Sequence, residues 1–168
     1  MKLIVDPDPI LKQVAEEWIF DTDHNAEQVE KDMLEIMNAF KGIGLAGNQV
    51  GLLKRVFTIK LKDHPDLTEP FAMFNPKIIS QGANEQIVDE GCLSFPDLWL
   101  GVKRPTSVEA EYFDKLGNQC IINLTGIDAR CFLHELDHLN GIVFTGKVSP
   151  MKLMLARKKQ RKYNGRTK

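Results

Sequence analysis

The chain has 168 residues, 43% hydrophobic and 27% charged, which fits one domain burying roughly 70% of its unfolded surface and excludes a disordered chain. No apolar run approaches the roughly 18 residues of a bilayer span, and the opening MKLIVDPDPI turns acidic and proline-rich too soon for a secretory signal. The net charge of −1 hides a split: residues 152–168 hold eight of the 22 Lys/Arg and none of the 23 Asp/Glu, leaving the body near −9 and the tail at +8.

Residues 1–150 carry no repeat or low-complexity linker and read as one catalytic-sized domain, with 151–168 as an appended basic helix. Val29, Met33, Ile36, Met37 and Phe40 follow the helical period, predicting a helix over 24–41. Asp23 is its expected cap and Gly42 its left-handed stop. Short strands are expected at 56–61, 71–74, 87–88, 108–113 and 120–124. Val108, Ala110 and Tyr112 alternate with Glu109 and Glu111, the period of a half-exposed strand, and residues 115–118 read as the turn before the last strand. A second helix is expected over 126–139, opened by a Thr125/Asp128 capping box and stopped at Gly141. Ser149-Pro150 then opens a third helix. These elements predict an α+β fold: short antiparallel or mixed sheets around a central metal-binding helix, with an N-terminal and a C-terminal helix.

His134-Glu-Leu-Asp-His138 is the strongest chemical signal. Histidines four apart lie one above the other on a helix, so both imidazoles can reach one ion with Glu135 beside it. With 4 His and 11 Glu, chance predicts roughly 0.006 such matches in the chain. Nothing after His138 is His, Asp, Glu or Cys, so a third ligand has to come from upstream, unlike the common metalloprotease arrangements. Cys131 is too far along the helix, about 10 Å from His138 at 1.5 Å per residue, and is expected to line a pocket. Cys92, in Glu90-Gly91-Cys92-Leu93-Ser94, is the better candidate. Two imidazoles and one thiolate leave a fourth position open, the mark of a catalytic site.

Three segments, Gly42-Ile-Gly-Leu-Ala-Gly-Asn-Gln49, Glu90-Gly-Cys-Leu-Ser94 and His134-Glu-Leu-Asp-His138, resemble the signature motifs of peptide deformylases in order and separation. The resemblance covers residues 1 to about 150. It implies hydrolysis of the formyl group from N-formylmethionine on nascent polypeptides, with release of formate. It also implies a divalent metal on Cys92, His134 and His138, with Fe(II) expected and Zn, Ni or Co suited to the same ligands. Glu135 is the expected base, with the Gln49 amide and the Leu93 N–H as oxyanion donors. Gly42, Ile43, Gly44, Glu90, Gly91, Ile127 and Cys131 are expected to bind substrate, and Glu90 to pair with Arg104 at the surface, holding the Cys92 loop.

Two positions depart from the family pattern. Gly47 replaces a usual alanine, adding backbone freedom that loosens the aim of Gln49, and Leu133 replaces a usual glutamine. A cytoplasmic monomer is expected, since three cysteines (Cys92, Cys120 and Cys131) make no disulfide framework. No membrane contact is expected, and the tail over 152–168 is read as a contact with ribosomal RNA. A metallopeptidase and a non-catalytic metal-stabilised module are the alternative readings; formate release without chain cleavage separates a deformylase from both.

Overall fold

The computed structural model describes residues 1–164; positions 165–168 of the expected tail lie outside the described residues. The elements are α1 (Ala26–Ala39), β1 (Gly44–Ala46), β2 (Val56–Ile59), β3 (Phe71–Gln81), β4 (Glu85–Cys92), β5 (Phe95–Pro105), β6 (Ser107–Phe113), β7 (Gln119–Thr125), α2 (Gly126–Leu139) and α3 (Pro150–Asn164). Five strands form one antiparallel sheet in the order β1-β2-β3-β6-β7, and β4 pairs with β5 in a separate hairpin. The expected α+β class is the observed one.

On β6 the alternation works as read: Val108, Ala110 and Tyr112 are buried, and the residues between them are only partly so. Helix α2 is different, with eleven buried residues on all sides. A helix buried all round sits inside the molecule rather than on it. The sheet covers one side through Phe57, Met73, Ala110, Ile122 and Leu124, packed with Phe132, Leu133 and Leu136. Phe57 and Phe132 meet edge to face at 5.5 Å between ring centres. Behind β5, Leu11, Phe95, Leu98, Val102 and Phe144 form a second cluster against which Leu153 and Ala156 of α3 pack.

Several local expectations give way. Asn25, not Asp23, caps α1, accepting a bond from the Gln28 N–H at 2.9 Å. Asp23 is already occupied, accepting from the Ile19 N–H at 2.7 Å and pairing with Lys54 at 3.1 Å. The left-handed residue ending α1 is Lys41, at φ 56°, rather than Gly42. Gly42 serves by being small: a Cβ there would lie 2.8 Å from Leu93 Cδ1. Thr125 makes no side-chain cap, and Asp128, the other half of the expected box, accepts instead from the Lys62 and Asp63 N–H groups at 2.7 and 3.0 Å. Gly141, at φ 70°, does close α2 in the left-handed region. No helix among the described residues is long and apolar enough to cross a membrane.

Candidate metal centre and cleft

Helix α2 carries His134 and His138 one turn apart, their ring centres 5.1 Å from each other. The hairpin end of β4 brings Cys92 to them, with its Sγ 3.2 Å from His138 Nε2. One ligand atom from each of the three lies within 4.8 Å of the others, and no other such group of His, Cys, Asp or Glu occurs among the described residues. Cys131 stays outside it, buried, with its Sγ donating to the Ile43 carbonyl at 3.4 Å. Burial pushes its thiol well above the usual range, so it remains a neutral, pocket-lining group.

Glu90 is the hub behind the cluster. Its carboxylate accepts from Arg104 Nε at 2.6 Å and a second Arg104 nitrogen at 3.0 Å, from Arg130 at 2.6 Å, and lies 3.0 Å from His134 Nδ1. The surface pair expected between Glu90 and Arg104 is therefore a buried one. Burial alone would push the Glu90 carboxyl up, but bonds from His134 and Arg104 outweigh it and hold it at about 2. An ionised carboxylate accepts a hydrogen bond from the Nδ1–H of His134 and fixes that ring so that Nε2 is the nitrogen available to an ion. The two imidazoles move in opposite directions. Burial pulls His134 down, but Cys92 and Glu90 raise it to about 10. Burial and the charge on His134 hold His138 well below its ordinary value.

Glu135 follows His134 on the same turn and lines the same cavity, almost fully buried. Gly44 makes room for it, since a Cβ at that position would overlap the carboxylate. Burial pushes its carboxyl up to about 7 against the pull of His134 and Arg104. Its Oε2 is buried and makes no hydrogen bond with the described residues. A soft thiolate, two imidazoles and an unsatisfied acid beside them suit a catalytic divalent cation.

Gln49 is buried and tied at both ends of its amide. Its Oε1 accepts from the Ala46 N–H at 2.8 Å, and its Nε2 donates to Ser94 Oγ at 3.0 Å and lies 3.4 Å from Cys92 Sγ. The looseness expected from Gly47 is thus not observed. At Gly47 a Cβ would lie 2.5 Å from the Leu52 carbonyl, so glycine is what this tight loop needs. Leu133 is buried in the core, with no polar role.

A cavity of about 710 Å³ opens over the cluster. Gly42, Ile43, Gly44, Gln49, Glu90, Gly91, Cys92, Leu93, Ile127, Cys131, His134 and Glu135 all line it; His138 lies behind. Sequence reasoning missed Ser94, which locks Gln49 while donating to the Ile4 carbonyl at 2.8 Å, and Arg130. The spacing of Arg130, His134 and His138, four apart on one helical face, was the signal for the latter. Asp137 was also missed. It accepts from Arg104 at 2.7 Å and Lys147 at 2.8 Å, extending the charge chain from the hub to the surface.

A helix-borne pair of imidazoles, a hairpin thiol and a buried acid at the floor of a cleft define a metal-dependent hydrolase. The family model for polypeptide deformylase matches residues 1–154. A peptide deformylase of Rhizobium meliloti is 36% identical over 150 residues, 89% of this chain and 86% of that one. One from Mesorhizobium japonicum is 37% identical over 160 residues, 95% and 90% of the two chains. The crystal structure of peptide deformylase from Ehrlichia chaffeensis matches with a TM-score of 0.86 at 34% identity, covering 98% of this chain and 96% of that one. The chain belongs to the peptide deformylase family, and its activity is hydrolytic removal of the formyl group from N-formylmethionine at the start of new polypeptides.

Proposed function

We propose that Cys92, His134 and His138 hold one divalent cation, with Glu135 as the proton-transferring residue of deformylation. The observation that carries this reading is the convergence of the three ligand atoms at the cavity floor beside the unsatisfied Glu135 carboxylate. The cation, when bound, supplies a Lewis acid that acidifies water and draws charge from a carbonyl oxygen. Glu135 takes the proton of the attacking water and returns it to the leaving amine.

Negative charge develops on the formyl oxygen as the tetrahedral centre forms. We assign as its donors the Leu93 N–H, in the two-residue turn between paired Cys92 and Phe95, and the Gln49 amide. One such donor is worth about 2.7–4 kcal/mol of barrier. Ser94 and the Ala46 N–H fix the amide plane so that Gln49 loses little entropy in the step. The methionine side chain fits the apolar wall of Ile43, Ile127 and Cys131, with Gly42, Gly44 and Gly91 letting the peptide backbone approach. Glu90 also lines the cavity, but its engaged carboxylate assigns it to holding His134.

Fe(II) is the metal we assign by family likeness; thiolate and imidazole suit Zn, Ni and Co as well. We place the enzyme in the cytoplasm, where its three free thiols are kept reduced. It acts as a monomer, since one chain supplies all three ligands. Residues 1–150 form the catalytic unit. The basic helix that follows is a contact for ribosomal RNA, through phosphate interactions that weaken steeply with salt.

The decisive experiment is Glu135→Gln, assayed for metal content and for formate from a formyl-Met peptide. Metal is retained at one equivalent per chain while turnover falls about 10²–10⁴-fold. Wild-type turnover in that variant overturns the assignment of Glu135, and loss of the metal makes it a ligand instead.

A further inference from the structure

The first residues of the chain bridge the two elements that carry the assigned oxyanion donors. The Ile4 N–H donates to the Gln49 carbonyl at 2.8 Å, and the Ile4 carbonyl accepts from Ser94 Oγ, also at 2.8 Å. Asp6 adds a third bond, its N–H donating to the Ser94 carbonyl at 2.9 Å. One short stretch of backbone is thus a rung between the Gly47–Val50 turn, which holds Gln49, and the turn between Cys92 and Phe95, which holds Leu93. The rung is anchored on both flanks. Ile4 packs against the cluster of Leu11, Phe95 and Phe144, and the Asp6 carboxylate accepts from Arg157 of α3 at 2.8 Å. Leu3 and Val5, on either side of Ile4, line the cavity.

The Ile4 carbonyl also sets the sense of a hydrogen-bond chain. A serine hydroxyl has one proton, and Ser94 gives it to Ile4. Toward Gln49, 3.0 Å away, Ser94 Oγ can then only accept, so the amide presents Nε2 to it while Oε1 takes the Ala46 N–H. One Nε2 hydrogen is spent on Ser94, and the second remains for charge developing in the cavity. Gln49 and Ser94 are both buried, so a bond lost here leaves a polar group short of a partner.

We propose that residues 3–6 are a positioning strap for deformylation, fixing the spacing of the Gln49 amide and the Leu93 N–H and the direction of the chain Gln49 to Ser94 to Ile4. The inference rests on the deformylase reading and on those two donors. A donor held in place acts on the transition state, where the oxyanion exists, and little on the bound ground state.

Ile4→Pro tests it, since proline has no N–H for the Gln49 carbonyl. In the metal-loaded variant kcat on a formyl-Met peptide falls about 10-fold, less than the 10²–10³-fold of deleting a donor outright, with KM and metal content unchanged. A phosphonate analogue of formyl-Met, which presents a tetrahedral anion, binds weaker by the same factor, while the product Met-Ala-Ser keeps its Kd. Ile4→Val, which retains the N–H, recovers wild-type kcat. Should Ile4→Pro lose the metal, hydrogen exchange on wild type decides: the Ile4 and Asp6 amides gain protection with the phosphonate and not with Met-Ala-Ser. Wild-type kcat in Ile4→Pro, equal weakening of phosphonate and product, or equal protection by both ligands overturns the strap and leaves deformylation standing. No formate from the wild-type enzyme defeats the underlying reading, and this one with it.

Discussion

Glu90 faces two arginines and a histidine, with Arg104 held on both of its oxygens. Bidentate geometry and burial make Arg104 far more than a surface partner. Removing it leaves a buried carboxylate short of charge, a loss of about 3–5 kcal/mol, and frees the hairpin end that presents Cys92. Arg104→Met is accordingly expected to lower metal affinity about 10–100-fold, measured by competition with a chelator. Retention equal to wild type would show that the hub does not support the ligands.

The same carboxylate sets an acid limit. Its pKa in the fold is about 2 against an ordinary 4.5, so the folded state binds fewer protons than the unfolded one between those values. The stability it contributes is present above pH about 4.5 and is lost as pH falls toward about 2. Urea midpoints measured from pH about 5 downward should fall more steeply for wild type than for Glu90→Gln. Parallel curves would place the acid sensitivity elsewhere.

Among the elements, glycines at 44 and 47 illustrate two kinds of close approach. At Gly44 a side chain meets the side chain of Glu135, so the cost falls on the placement of the acid. At Gly47 it meets the Leu52 and Lys54 carbonyls, at 2.5 and 2.9 Å, which are backbone and cannot swing aside. Gly47→Ala, although it restores the residue usual in the family, is expected to destabilise by about 1–3 kcal/mol, read from denaturant midpoints. A stabilised variant would mean that the loop relaxes freely.

The long, periodic elements were legible in the sequence: α1, α2, β6 and β7 lie where apolar spacing puts them, and His134 and His138 of the clustered triad follow from the motif on α2, with Cys92 from the Glu90–Ser94 segment. Strand β5 was not, because its inner face mixes Leu100 and Val102 with Arg104, and its alternation breaks at Pro96 and Asp97. Three-residue β1 carries too little pattern to read. The caps failed for a physical reason: Asp23 is taken by the Ile19 N–H four residues back and by the Lys54 ammonium, and Asp128 by the Lys62 and Asp63 N–H groups, which sequence does not place beside it. The same holds for Arg130, whose partner Glu90 lies 40 positions away.

At the scale of the molecule, the fold buries one helix on all sides and docks a hairpin against it, so ligands from distant parts of the chain meet on rigid elements. Helix α3 clamps the back of that hairpin: Arg157 pairs with Asp6 at 2.8 Å and stacks 5.6 Å from the Phe95 ring centre. Met151, Met154 and Leu155 remain on its exposed face beside the lysines and arginines. The central claim is that a hairpin sulfur and two helix nitrogens share one cation that keeps a position for substrate. X-ray absorption of the metal-loaded protein examines it directly. One sulfur at about 2.3 Å with two imidazole nitrogens near 2.1 Å is the expected shell, lost in its sulfur component in Cys92→Ser. A shell without sulfur, or one closed by four protein ligands, would contradict the account.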